Sequence, residues 1–83
     1  MSKHDVLAYL AEIGAVDAID VARTFDLTYP AAAMALLRLL RQGLVRRYID
    51  DGRGTYWYTL TDRGHARLAY FETTQDRANA EKT

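Results

Sequence analysis

Four arginines, Arg38, Arg41, Arg46 and Arg47, sit in a stretch from residue 28 to residue 48 that holds no acidic side chain. A guanidinium is always charged and presents a planar fork of donors that fits a phosphate or a carboxylate. The chemistry open to this stretch is phosphate binding. The plain alternative is solvated charge, or pairing with the nearby Asp50 and Asp51. The rest of the chain sharpens the contrast: formal net charge is zero, yet residues 1–27 carry Lys3 and Arg23 against five acids. A local patch attracts phosphates even when the total is neutral.

Other reactive groups offer less. The absence of cysteine excludes a disulfide framework, a thiolate metal site and a cysteine redox sensor. His4 and His65, the only histidines, lack metal-ligand spacing. Asp51-Gly52-Arg53-Gly54 has two glycines but no lysine and no helix after it, so a hairpin turn is expected rather than a phosphate cradle. Asp50 and Asp51 then read as turn residues, not as a catalytic pair. No nucleophile stands beside a base, so the sequence implies no enzyme, no cofactor and no metal. No apolar run approaches the ~18 residues of a membrane span, and Met1-Ser2-Lys3-His4-Asp5 is unlike a signal peptide. A cytoplasmic location without membrane contact is the default expectation.

The elements that must position the arginines follow from period and punctuation. Ser2-x-x-Asp5 reads as a capping box before Val6, Leu7, Leu10 and Ile13, which share helical spacing, and Gly14 stops that helix. Ala15-Val16 fits a short extended bridge. Asp17 fits the N-cap of a second helix with Val21, Ala22 and Phe25 on its inner face. Asp26-Leu27-Thr28 is the turn into a third helix, capped by Thr28 or Tyr29, with Pro30 in its first turn. Its expected core face is Ala32, Ala35, Leu36 and Leu39, with Ala22 against Ala32 or Ala35. Gly43 ends it. Residues 44–50 and 55–60 are strand-like around the 51–54 turn, and Leu44 and Leu60 close the base of the core. Thr61 caps a fourth helix with Leu68 and Phe71 inward and Tyr70 at the edge. The expectation is one domain over residues 1–72, followed by a polar helix end or tail over 73–83.

Helix, helix, helix, hairpin, helix is the plan of a winged helix-turn-helix: an α+β, mainly α class with three helices, a β-hairpin wing and a C-terminal helix. Leu27-Thr28, Leu39 and Gly43-Leu44-Val45-Arg46-Arg47 resemble the middle of MarR, PadR and ArsR-type transcription regulators. Tyr58-Thr59-Leu60-Thr61-Asp62-Arg63-Gly64 resembles their strand-to-helix junction. The resemblance covers roughly residues 5–72 and is more specific for the fold than for any one family.

It implies a DNA-binding regulator, usually dimeric, whose third helix enters the major groove of double-stranded DNA. The matching positions are Thr28, Tyr29, Ala33, Met34 and Arg38, with Arg41, Arg46, Arg47 and the wing-tip Arg53 placed to reach phosphates. This face departs from the pattern, because Pro30, Ala31, Ala33 and Met34 cannot hydrogen-bond a base edge through a side chain. Its apolarity supports a second reading, a winged helix serving as a protein-interaction or dimerisation module. Leu37, Leu40, Trp57, Tyr70 and Phe71 are the candidates for such an interface.

Overall fold

In a computed structural model, the backbone of residues 2–81 and the side chains of residues 2–71 are described. Four helices and a small sheet form: α1 (Lys3–Ile13), β1 (Ala15–Val16), α2 (Ala18–Thr24), α3 (Tyr29–Arg41), β2 (Val45–Ile49), β3 (Tyr56–Leu60) and α4 (Asp62–Glu81). The sheet is antiparallel in the order β1-β3-β2, with Val16 opposite Tyr58 and Val45 opposite Leu60. The short bridge at Ala15-Val16 is thus a true third strand, tied further by the Thr59 hydroxyl donating to the Gly14 carbonyl at 2.9 Å. Among the described residues no helix is long and apolar enough to cross a membrane.

Local chemistry sets the helix ends. Ser2 and Asp5 close the capping box on α1: the Ser2 N–H donates to Asp5 at 3.0 Å and the Asp5 N–H to the Ser2 hydroxyl. The backbone donor, then the hydroxyl, hold the Asp5 carboxyl below the usual carboxylate range. Asp17 caps α2 by accepting from the Asp20 N–H at 2.8 Å. Thr28, not Tyr29, caps α3 by accepting from the Ala31 N–H, which leaves the Tyr29 side chain free on the first turn. The turn between α2 and α3 reverses at Asp26, whose φ of 54° lies in the left-handed region that a short polar side chain tolerates. The Leu27 N–H then reaches back to the Ala22 carbonyl at 2.8 Å.

The core gathers one face of every element. Leu7, Val16, Val21, Ala32, Leu36 and Leu44 are wholly buried, and Val6, Leu10, Ala18, Leu39, Val45, Tyr58, Leu60 and Leu68 complete it. Of the alanines expected between α2 and α3, Ala32 is wholly buried, whereas Ala22 and Ala35 are only half-buried. Phe25 lies just past α2, half-buried, with its ring edge-on to Tyr9 at 5.7 Å. Leu44 closes the core base from the turn before β2, not from a strand pair with Leu60; Val45 is the residue opposite Leu60.

One junction ties α3, the sheet and α4 together. Gly43 takes a φ of 73°, which lets its N–H bond the Leu40 carbonyl and the Leu44 N–H bond the Leu39 carbonyl, both at 3.0 Å. The Thr61 hydroxyl donates to the Gly43 carbonyl at 2.7 Å and accepts from the Gly64 N–H at 3.0 Å, while the Thr61 N–H donates to Leu44. Gly64 is buried against that turn: a Cβ there would lie 2.0 Å from the Leu44 carbonyl oxygen. From this junction α4 continues past residue 72 to Glu81, so the polar segment expected from residue 73 is helical backbone as far as 81; residues 82–83 fall outside the described residues.

Two stability outcomes follow. Gly64→Ala must push α4 off the Leu44 turn, and a cost of about 3 kcal/mol is expected, the upper end for overpacking. A thermal melt should show a Tm lower by more than about 10 °C; a change of a degree or two would disprove the close contact. Thr61→Val keeps the shape but removes a cap and leaves two partners unpaired, for an expected loss of about 1–2 kcal/mol in a urea titration.

Candidate nucleic-acid interface

The surface of α3 follows from its buried side. With about 3.6 residues per turn, the buried trio Ala32, Leu36 and Leu39 turns Pro30, Met34 and Arg41 directly outward, with Ala31 and Arg38 beside them. Met34 is 43% exposed, and Arg38 and Arg41 are exposed in the last two turns. Leu37 is half-buried at the edge of this outward stripe. Ala33 and Leu40 are half-buried on the flank and pack against the core. At the N-terminal end Thr28 is occupied with its capping bond, while the Tyr29 ring is 58% exposed.

The wing adds a second surface. Asp50 organises its tip: its N–H bonds the Thr55 carbonyl at 2.8 Å, its carboxylate accepts from the Gly52 N–H at 2.9 Å, and its carbonyl accepts from Arg53 and Gly54. Gly54, with a φ of 67°, completes the reversal. The Asp51–Gly54 segment is therefore a hairpin turn, and its Arg53 side chain stands exposed at the tip.

Strand alternation then divides the wing arginines. Directly opposed residues share a sheet face. Val45, Arg47, Ile49, Tyr56, Tyr58 and Leu60 lie on the face that carries the core at its base; Arg46, Tyr48, Trp57 and Thr59 lie on the other. The Arg47 guanidinium sits over the Tyr56 ring, 4.2 Å from its centroid, a cation–π contact that holds it on the inner side. Arg46 instead borders a cavity with Gly43, Thr61, Asp62 and Arg63. The four clustered arginines thus do not form one surface: Arg38 and Arg41 lie on α3, Arg47 on the inner wing face and Arg46 on the outer.

Between α3 and the inner wing face runs a groove of about 190 Å³, lined by Ile19, Tyr29, Ala33, Gly54, Tyr56 and Tyr58 among others. Ile19 and Tyr56 were not expected at this surface. The signal for Tyr56 was present in its two-residue spacing from Tyr58; the exposure of Ile19 depends on how α2 is rotated on α3, which spacing alone does not fix. Of the six tyrosines, Tyr29, Tyr48, Tyr56 and Tyr70 are about half exposed or more, Tyr9 is half-buried and Tyr58 is buried.

The apolar interface candidates are not brought together. Leu37 and Leu40 belong to α3, and half-buried Trp57 lies opposite Tyr48 on the outer wing face. Tyr70 is 65% exposed on α4, and its neighbour Phe71 packs against the core, edge-on to His4 at 5.9 Å.

No family model matches the chain, and no curated protein matches it by sequence. Solved structures do match in shape. YusO from Bacillus subtilis superposes with a TM-score of 0.91 at 21% identity, over 96% of this chain and 57% of its own. A MepR-like protein complexed with pseudoligands gives 0.84 at 28% identity, over 96% and 57%. A MepR variant from S. aureus bound to an oligodeoxyribonucleotide gives 0.84 at 24% identity, over 95% and 59%. The chain spans a little under three-fifths of the length of these three proteins. Four helices, a three-stranded antiparallel sheet and this likeness establish the winged helix-turn-helix fold of MarR-type transcription regulators.

Proposed function

We propose that this chain is the DNA-binding domain of a transcription regulator, with α3 in the major groove and the Asp51–Gly54 turn of the wing against the sugar-phosphate backbone. The observation that carries the reading is the set of exposed arginines on α3 and the wing: Arg38 and Arg41 on the outward stripe of a helix that carries no acid, Arg47 on the inner wing face and Arg53 at the tip, with Asp17 in the groove between them and Asp51 in the turn as the neighbouring acids. Guanidinium groups so placed suit phosphates on either side of a groove occupied by a helix. A solved protein of the same fold holding an oligodeoxyribonucleotide supports the assignment. Arg46 is left out of the contact set, because its sheet face turns toward Asp62 and Arg63.

The reading includes a homodimer through α4, where Tyr70 presents an exposed ring on a helix of 20 residues. Leu37 then belongs to the groove-facing stripe rather than to the dimer contact. Trp57 and Leu40 are left to the packing of their own elements.

Fluorescence anisotropy with a generic duplex across a salt series tests the DNA assignment. Binding should weaken steeply with salt, and Arg38→Ala and Arg41→Ala should each flatten the log–log slope by about one unit. No binding at low salt would reject the reading in favour of a protein-interaction module. Sedimentation velocity tests the dimer: wild type should run at twice the 9.4 kDa chain mass and Tyr70→Asp at the single mass. A monomeric wild type would remove the interface.

A further inference from the structure

We infer that α3 selects its DNA through thymine methyl groups, with Met34 as the residue that reads them. The inference rests on the DNA-binding reading above and specifies the class of site it takes. Along the outward stripe of α3, the first two turns present Pro30, Ala31 and Met34, all exposed, and none has a side-chain donor or acceptor. The Thr28 hydroxyl accepts from the Ala31 N–H, which fixes it at the helix cap, and it and the exposed Tyr29 phenol stand before the strip rather than on it. Leu37 extends the apolar strip one turn further, and only then do Arg38 and Arg41 appear.

The major-groove edges of guanine, adenine and cytosine display hydrogen-bonding atoms that require a polar partner; thymine alone adds an apolar C5-methyl. Pressed against Met34 and Ala31, a purine edge loses water and gains nothing in return. A thymine methyl in the same place is buried favourably, and Met is suited to the task because its unbranched thioether adapts to irregular surfaces. Charge decides that the occupant is DNA rather than an apolar protein segment. Arg38 and Arg41 flank the apolar strip on a helix that carries no acid, and Arg47 stands exposed on the inner wing face; Asp17 is the one acid lining the groove between α3 and that face. Cations around a narrow apolar strip match a groove whose floor carries methyl groups and whose rims carry phosphates.

The test begins with selection of sites from a random duplex library at low salt, using the 83-residue chain. Thymines of the enriched site are then replaced singly by deoxyuridine, which removes the methyl and keeps the base pair. One or more positions should lose about fourfold in affinity, the effect of burying one methyl-sized group. That loss should vanish at one position in Met34→Gln, whose salt slope and Tm should match wild type because the side chain is at the surface. Restoring the methyl as 5-methylcytosine in a C·G pair should recover part of the affinity. Binding with no enriched sequence, or an enriched site indifferent to uracil, would overturn the methyl readout and leave the DNA-binding reading intact. A uracil effect unchanged in Met34→Gln would remove Met34 from the role. Failure to bind any duplex would instead overturn the DNA-binding reading itself.

Discussion

The working surface depends on how α3 leaves its last turn. Gly43 in the left-handed region closes the helix, Leu44 drops into the core, and Thr61 bonds the Gly43 carbonyl on one side and the first turn of α4 on the other. Gly64 permits this because any side chain there would collide with the Leu44 carbonyl. A helix that inserts into a groove must be held at a fixed angle to the wing that straddles the next backbone. Here a single hydroxyl, two glycines and one buried leucine set that angle. None of them lies on the proposed contact surface, so positioning and contact are carried by separate residues.

The wing repeats this division of labour on a smaller scale. Asp50 is an acid beside a basic surface, and from the sequence it reads as solvated or as a partner for an arginine. Its carboxylate instead accepts from the Gly52 N–H, and its backbone bonds Thr55, Arg53 and Gly54. The tip is thereby closed by one residue, and Arg53 is carried outward on it. Arg47 is fixed differently, by the Tyr56 ring beneath its guanidinium. Stacking leaves the N–H edge of the guanidinium open to donate to a phosphate, whereas a carboxylate partner would have competed for the same donors.

The order of elements was legible because each boundary carries a residue with one dominant local role: Ser2, Asp17 and Thr61 as caps, Gly14 and Gly43 as stops, Pro30 in a first turn. The partition of the arginines was less legible. Four like charges in ten residues read as one patch, but Arg46 and Arg47 are adjacent on a strand and must face opposite ways. The alternation was visible; which face meets α3 was not, because that follows from Val45, Tyr58 and Leu60 packing into the core. In the sequence Gly64 is one residue of the strand-to-helix junction motif. Its physical reason, a backbone approach between segments 20 residues apart in sequence, exists only in three dimensions.

The apolar outward face of α3 then becomes a consequence of the fold rather than an anomaly within it. A helix of Ala, Leu and Met can bury Ala32, Leu36 and Leu39 and still leave Pro30, Ala31 and Met34 in solvent without unsatisfied polar groups. Such a helix is held by its caps and its core, and it makes few demands on what it touches. With Arg38 and Arg41 beside it, such a face would, on the proposed reading, take its orientation from phosphates and leave discrimination to the one apolar feature in the groove floor. The physical opposite, a face of Asn, Gln and Arg, would discriminate more sharply but would need every polar group matched at each site. On the proposed reading the sequence of α3 trades that sharpness for tolerance, with apolar contacts such as that of Met34 standing where hydrogen-bonded ones would.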